Sequence, residues 1–340
     1  MTDDTTGAAG TRLIEMVRGY QLSQAIHAAA VLGVADHLGD GAQSAEALAE
    51  AVGAHAGALK RLMRVLASRG ILVERDDERY ELGALGQLMR TDCDGSVHGQ
   101  LLLWGHPMQW VPWGDLVHSV RTGDTAFEKV FGAGHWEYLE NNPDAGVMFK
   151  SAMAAHPSHR DVAGAYDFSD AECIADIGGG SGLLLAEILR ANPLAHGILF
   201  DRPSVLTGAM AVLEAAGVAG RCDVRGGSFF DDMPREADAY VLSNVLMDWD
   251  DADAMRLLRR CRSAMDARAR LVVIERMIPG DNAPSLSQLG DLMGLVITGG
   301  RVRSVTEFEA LLEACGLRCT RAQLTPSGYT ILEARPLPAA

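Results

Sequence analysis

An apolar run at Ile174–Ile177 carries one acid, Asp176, and ends in Gly178-Gly179-Gly180-Ser181-Gly182. The apolar Leu183-Leu184-Leu185-Ala186 follows at once. This order reads as a buried strand, a tight turn and the start of a helix. Glycines here admit positive φ and let a ligand come close to the backbone. The helix start adds unsatisfied N–H groups and partial positive charge. A second acid, Asp201, ends the next apolar run, 25 residues after Asp176. The chain is therefore expected to bind a ligand at this turn.

The spacing narrows the ligand. It is not the GxGxxG of a dinucleotide fold, and no Gly-Lys-Ser/Thr follows as in a phosphate loop. An acid closing the second strand suits a pair of ribose hydroxyls. An acid, a glycine turn and a second acid suit a nucleoside that carries an amino acid, S-adenosylmethionine (SAM).

These residues need a scaffold that brings the strand ends together. From Cys173 onward, strands are expected at Cys173–Ile177, Gly197–Phe200, Asp223–Gly226, Ala239–Ser243, Arg270–Glu275 and Thr330–Ala334. Helices are expected between them at Leu183–Ala191, Ser204–Ala216, Ala252–Met265 and Thr306–Ala314. Such alternation predicts an α/β fold, a doubly wound Rossmann-like and mostly parallel sheet. Ligands of such sheets sit beyond the carboxyl ends of the strands, at the topological switch point.

The front of the chain differs. Thr11–Leu38 is apolar at helical spacing on more sides than one face can hold, so a second subunit is expected to cover it. Ser44 starts a helix and Ala54–Arg69 forms another; Ile71–Val73 and Tyr80–Leu82 flank a polar turn as a hairpin. Together they predict a mainly helical winged-helix domain over 1–100, used for dimerisation. Residues 101–165 read as a helical linker, and 166–340 as the SAM-binding domain. The linker carries Trp104, Trp110, Trp113, Phe127, Phe131, Trp136 and Phe149. They are either core packing or an aromatic wall for a flat substrate.

A net charge of −15 argues against nucleic acid and anionic membranes as partners. Residues 1–100 hold 9 Lys+Arg against 14 Asp+Glu, which disfavours DNA binding by the winged helix. No apolar run reaches the roughly 18 residues of a membrane span, and the N-terminus lacks a signal-peptide core. The six cysteines form no CxxC pair and no metal pattern, so reduced thiols in a cytoplasm are expected.

Four further segments follow in order: Asp201-Arg202-Pro203, Gly226-Gly227-Ser228-Phe229-Phe230-Asp231, Leu242–Asp250 and Thr298-Gly-Gly-Arg301-Val-Arg303 ahead of Glu307. In order and spacing, from about Arg12 to Pro336, the chain resembles the SAM-dependent O-methyltransferases of plant phenylpropanoid (caffeate and isoflavone type) and bacterial antibiotic pathways. The resemblance implies a homodimer and a small aromatic substrate, with S-adenosylhomocysteine as product. It places Asp176, Gly178 and Gly180 by the methionine part of SAM, Asp201 on the ribose, and Arg202, Ser228 and Phe229 by the adenine. Many relatives carry Asp where Ser228 stands. The Ser243 carbonyl would meet the amino group, and Trp249 the methylthio end. The substrate side would include Trp104, His106, Trp110, Phe149, Met153, His156 and Asp291. No metal is implied.

One position departs from the family. Its motif reads Leu-His-Asp-Trp, with the His as general base; here the residues are Leu246-Met247-Asp248-Trp249. The two acids that flank that His persist as Glu275 and Glu307, 28 and 60 residues after Met247. A thioether takes no proton. Forming the phenolate of an ordinary phenol at pH 7 without a base costs about 4 kcal/mol, at ~1.36 kcal/mol for each of ~3 pKa units. Three resolutions remain open: an already acidic acceptor, a carbon or nitrogen nucleophile, or another base among His106, His156, His159, Asp248 and Glu275. Two functions compete. One is a methyltransferase, on O first and on C or N otherwise, that works by proximity. The other keeps SAM for decarboxylation, hydroxylation or a pericyclic step.

Overall fold

The computed structural model describes residues 3–154, 158–280 and 283–338, with side chains described outside 1–6 and 154–160. The chain divides into two compact units. The first is Met1–Trp110 with Val147–His156; the second is Val111–Gly146 with Pro157–Ala340.

In the first unit the expected single helix over Thr11–Leu38 is three: Asp3–Val17, Gly19–Val31 and Val34–His37. Gly33, at φ 66°, takes the left-handed turn that separates the last two. Ala29, Ala30, Val34, Ala35 and Leu38 reach the core of this unit, among Leu48, Leu59, Met63, Leu66 and Tyr80. The earlier residues do not. Leu13, Ile14, Met16, Val17 and Tyr20 are 59–70% exposed, so the chain by itself leaves that face uncovered.

The Ser44 hydroxyl accepts from the Ala47 N–H at 3.2 Å and caps the helix Ala45–Val52. The helix Ala56–Ala67 follows. Strands β1 (Gln43–Ser44), β2 (Leu72–Glu74) and β3 (Arg79–Leu82) form a sheet in the order β1-β3-β2, with Leu72 opposite Leu82 in the hairpin. This is the expected winged helix; the two-residue β1 is too short to show in a periodicity.

The second unit is built on a seven-stranded sheet, in the order β6-β5-β4-β7-β8-β10-β9. Its strands are β4 (Cys173–Ile177), β5 (His196–Asp201), β6 (Cys222–Gly226), β7 (Ala239–Ser243), β8 (Arg270–Glu275), β9 (Leu317–Leu324) and β10 (Thr330–Pro336). The first five pair in parallel, and β10 and β9 add antiparallel. Alternation along β4 sends Ala175 and Ile177 to one face and Ile174 to the other. The helices Asp251–Ala264 and Val305–Ala314 pack on the first face, and Leu183–Ala191 on the second. The chain leaves β4 toward β5 and returns on the other side as β7, which makes the β4/β7 gap the switch point.

Three expectations change here. The helix expected over Ser204–Ala216 starts only at Ala209, because Gly208 at φ 87° breaks the helical path. Strand β9 and the helix Leu286–Ile297 were not foreseen. The β9 edge carries Arg318, Thr320 and Arg321, which hides its apolar alternation.

Candidate active site

The turn Gly178–Gly182 leaves the end of β4 at the switch point. Gly178, Gly180 and Gly182 have φ of 72°, 61° and 81°, conformations that L side chains rarely adopt. A Cβ on Gly178 would lie 2.8 Å from a Val245 methyl, and one on Gly179 would lie 2.6 Å from the Asp176 carboxyl carbon. A Cβ on Gly180 would meet nothing within 4 Å. The turn is thus packed hard below and open above. Asp201 ties it down: its Oδ2 accepts from the Gly180 N–H at 3.0 Å, and its Oδ1 from the Arg202 N–H at 2.7 Å.

Asp176 lies beneath this turn. Both its oxygens are buried with no hydrogen-bond partner among the described residues. Burial first, and the nearby Asp201 charge second, push its pKa up to about 7. A buried carboxyl and a second acid under an open glycine turn are a site short of positive charge. SAM carries an ammonium and a sulfonium, so these residues fit it.

The carboxyl ends of β7 and β8 complete the site. Asn244 adopts φ 53°, and its N–H donates to the Ile274 carbonyl at 3.0 Å. The chain then forms a three-residue 3-10 turn, Leu246–Asp248. The Met247 N–H donates to Glu275 Oε1 at 3.0 Å. Glu275 is fully buried, and its Oε2 has no partner among the described residues. Burial pushes its pKa up to about 7. Desolvation, with the Glu275 charge second, pushes that of Asp248 up to about 8. Trp249 meets Phe230 edge to face at 4.7 Å and Phe229 at 5.9 Å, so Phe229 and Trp249 share one aromatic cluster.

Other expected site residues have visible work of their own. The Arg202 guanidinium pairs with Glu140 and lies over the Trp136 ring at 5.5 Å. The Ser228 hydroxyl accepts from the Phe230 N–H at 3.2 Å. Ser243 ends β7 opposite Ile274 of β8. Asp291 accepts from the Val302 N–H at 2.9 Å. Glu307 joins the Ser304 capping box of its helix and pairs with Arg301 at 2.6 Å.

The aromatic stretch is divided. Phe127, Phe131, His135 and Tyr138 pack on one another in the second unit, as core. Trp104, Trp110 and Met153 are exposed on the first unit, where Phe149 is half-buried. In that unit His106 Nδ1 accepts from the Met108 N–H at 3.2 Å, and burial lowers its pKa. His156 and the His159 side chain lie outside the described residues.

Arg303 was quoted in the sequence only as the end of the Thr298–Arg303 segment, with no role of its own. It is 1% exposed, and its guanidinium donates to the Leu246 and Trp249 carbonyls at 2.9 and 3.0 Å.

An open, mainly parallel sheet with this glycine turn and second-strand acid, behind a winged helix, defines the class of SAM-dependent methyltransferases. Residues 113–318 match the O-methyltransferase domain, and residues 14–92 the O-methyltransferase dimerisation domain. The chain belongs to this O-methyltransferase family and is a SAM-dependent enzyme. It is 40% identical to phenazine O-methyltransferase PhzM of Lysobacter antibioticus, over 96% of both chains. It is also 40% identical to a mitomycin biosynthesis 6-O-methyltransferase of Streptomyces lavendulae, over 93% of this chain and 91% of the relative. The structure of NcsB1, an O-methyltransferase of neocarzinostatin biosynthesis solved with SAM and 2-hydroxy-5-methyl naphthoic acid, superposes with a TM-score of 0.80. It is 32% identical, with 93% of this chain and 96% of that one covered. Among the described residues, no helix is long and apolar enough to cross a membrane.

Proposed function

We propose that this enzyme methylates a hydroxyl of a small polycyclic aromatic or polyketide-like metabolite, and that alignment, not a histidine base, carries the rate. The observation behind this is Met247, a side chain without a proton acceptor, held at the head of β7 beside a buried Glu275.

SAM, when bound, supplies a methyl group on a sulfonium that a nucleophile displaces in line. Asp201 holds the ribose and anchors the Gly180 turn. Gly178 and Gly180 leave room for the methionine part, and Asp176 faces its positive charge. Ser228 and Phe229 border the adenine with Arg202 nearby; the Ser243 carbonyl takes the amino group, and Trp249 flanks the methylthio end. The acceptor side draws on Trp104, His106, Trp110, Phe149 and Met153, all within a linker taken as 101–165. Asp248, Glu275 and Glu307 surround the Met247 position without contributing an imidazole.

With no imidazole, the acceptor proton must leave easily. Phenols with pKa near 7, such as quinone-type hydroxyls conjugated to a carbonyl, meet that demand. A phenazine O-methyltransferase and a mitomycin biosynthesis 6-O-methyltransferase among the relatives, and the naphthoic acid bound by NcsB1, support this reading. Orienting two reactants is worth up to about 7–11 kcal/mol, more than the cost of lacking a base.

The exposed face of Leu13, Met16, Val17 and Tyr20 is proposed to close against a second copy of the chain, giving a homodimer. Six free cysteines agree with a reducing cytoplasm. The test is a panel of hydroxynaphthoic acids, hydroxyphenazines and simple phenols incubated with SAM. Product accompanied by equimolar S-adenosylhomocysteine on the acidic acceptors supports the proposal. Product without S-adenosylhomocysteine refutes it.

A further inference from the structure

A three-residue 3-10 turn holds itself weakly, because its hydrogen bonds are few and poorly aligned. Leu246–Asp248 is such a turn, entered through Asn244 at positive φ, and it carries Met247, where the family motif has its histidine. Its support comes from a segment more than fifty residues later. Arg303 Nη1 donates to the Leu246 carbonyl at 2.9 Å, and Nη2 to the Trp249 carbonyl at 3.0 Å. Arg303 Nε donates to Asp251 Oδ1 at 2.9 Å, which fixes the fork. On the opposite side, Glu275 receives the Met247 N–H. From below, Gly300 lies so close that a Cβ there would stand 2.2 Å from the Met247 oxygen.

Burying a guanidinium is costly unless every donor is used. Here one fork spans two carbonyls three residues apart, a geometry that lysine cannot copy. We propose that Arg303 is a positioning residue of the transfer step. By bridging the Leu246 and Trp249 carbonyls, it fixes the Met247 segment against the reacting centre. The proposal rests on the methyltransferase reading of this site. In a site that works by alignment, displacing the segment by about 1 Å costs roughly 100-fold in rate.

The experiment is hydrogen exchange of the Met247–Trp249 amides, together with steady-state kinetics on 1,4-dihydroxy-2-naphthoic acid and direct SAM titration. For Arg303→Lys, exchange of these amides should rise about 100-fold while β4, β5 and β7 keep their protection. The rate constant kcat should fall by roughly 100-fold, and SAM affinity should stay within about 3-fold. Asp251→Asn, which loosens the fork along with the Arg301 pair, should move both quantities the same way by about 5–10-fold and covers the case of a lysine variant that does not fold. Wild-type exchange in both variants, or raised exchange with unchanged kcat, overturns the proposal. A uniform rise across the sheet also overturns it, since that is a general stability effect. Exchange needs no SAM, so a wild-type protein that fails to bind SAM strikes the functional reading alone.

Discussion

The Met247 N–H and Glu275 Oε1 are 3.0 Å apart, and the other Glu275 oxygen is buried without a partner among the described residues. Here Glu275 accepts from a backbone amide, and burial pushes its pKa up to about 7 against the opposing pull of that amide and of the Arg303 charge. The acid remains where the imidazole is gone, which makes position 247 the place to probe the reaction.

Met247→His should restore a base beside Glu275. On phenols with pKa near 10, kcat/KM is expected to rise by about 10–100-fold, and on acceptors with pKa near 7 by less than about 3-fold. Rates for both acceptor types settle it. Equal gains on both would contradict the assignment of the missing base.

Asp176 makes stability depend on pH in the SAM-free protein. Its folded pKa of about 7 lies above the unfolded value near 3.9. Between these values the folded state keeps a proton that the unfolded state has released. Stability therefore falls as pH rises through this window and stays low above it. Asp176→Asn should unfold like the wild type near pH 4 and be more stable at pH 8, by about 2–4 kcal/mol. Urea titrations at the two pH values provide the comparison. A variant less stable at pH 8 would show that the carboxylate is paired after all.

Asp201→Ala removes the acceptor of the Gly180 and Arg202 amides as well as the proposed ribose contact. SAM affinity should drop by about 10–100-fold, the worth of one or two charge-assisted hydrogen bonds. Calorimetry reads this directly. Unchanged affinity would put the ribose elsewhere.

Met16→Glu places a charge on the exposed apolar face of the first unit. Sedimentation is expected to give a dimer for the wild type and a monomer for the variant. A wild-type monomer at micromolar concentration would remove the dimer from the account.

Much of this was legible in the chain, for physical reasons that differ by element. Strands β4, β7 and β8 match their expected bounds because a strand buried on both faces is a continuous apolar run. The glycine turn was legible because positive φ demands glycine locally. The charged edge strand β9 was not, since exposure removes the pattern. Nor were the breaks at Arg18 and Gly33 that divide the helix expected over Thr11–Leu38. In the site, Asp176 and Asp201 could be named from spacing alone. Arg303 could not, because its meaning lies in carbonyls 57 and 54 residues away. Asp291 and Glu307 came from resemblance, and their contacts with Val302 and Ser304 show local structural work that spacing does not reveal.

The central claim is methyl transfer from SAM at a site without a histidine base. A single-turnover reaction with methyl-labelled SAM and an aromatic acceptor whose hydroxyl pKa is near 7, such as a hydroxyphenazine, tests it most directly. The account predicts one labelled methyl on oxygen for each S-adenosylhomocysteine formed. Conversion of the acceptor with SAM left intact would contradict it.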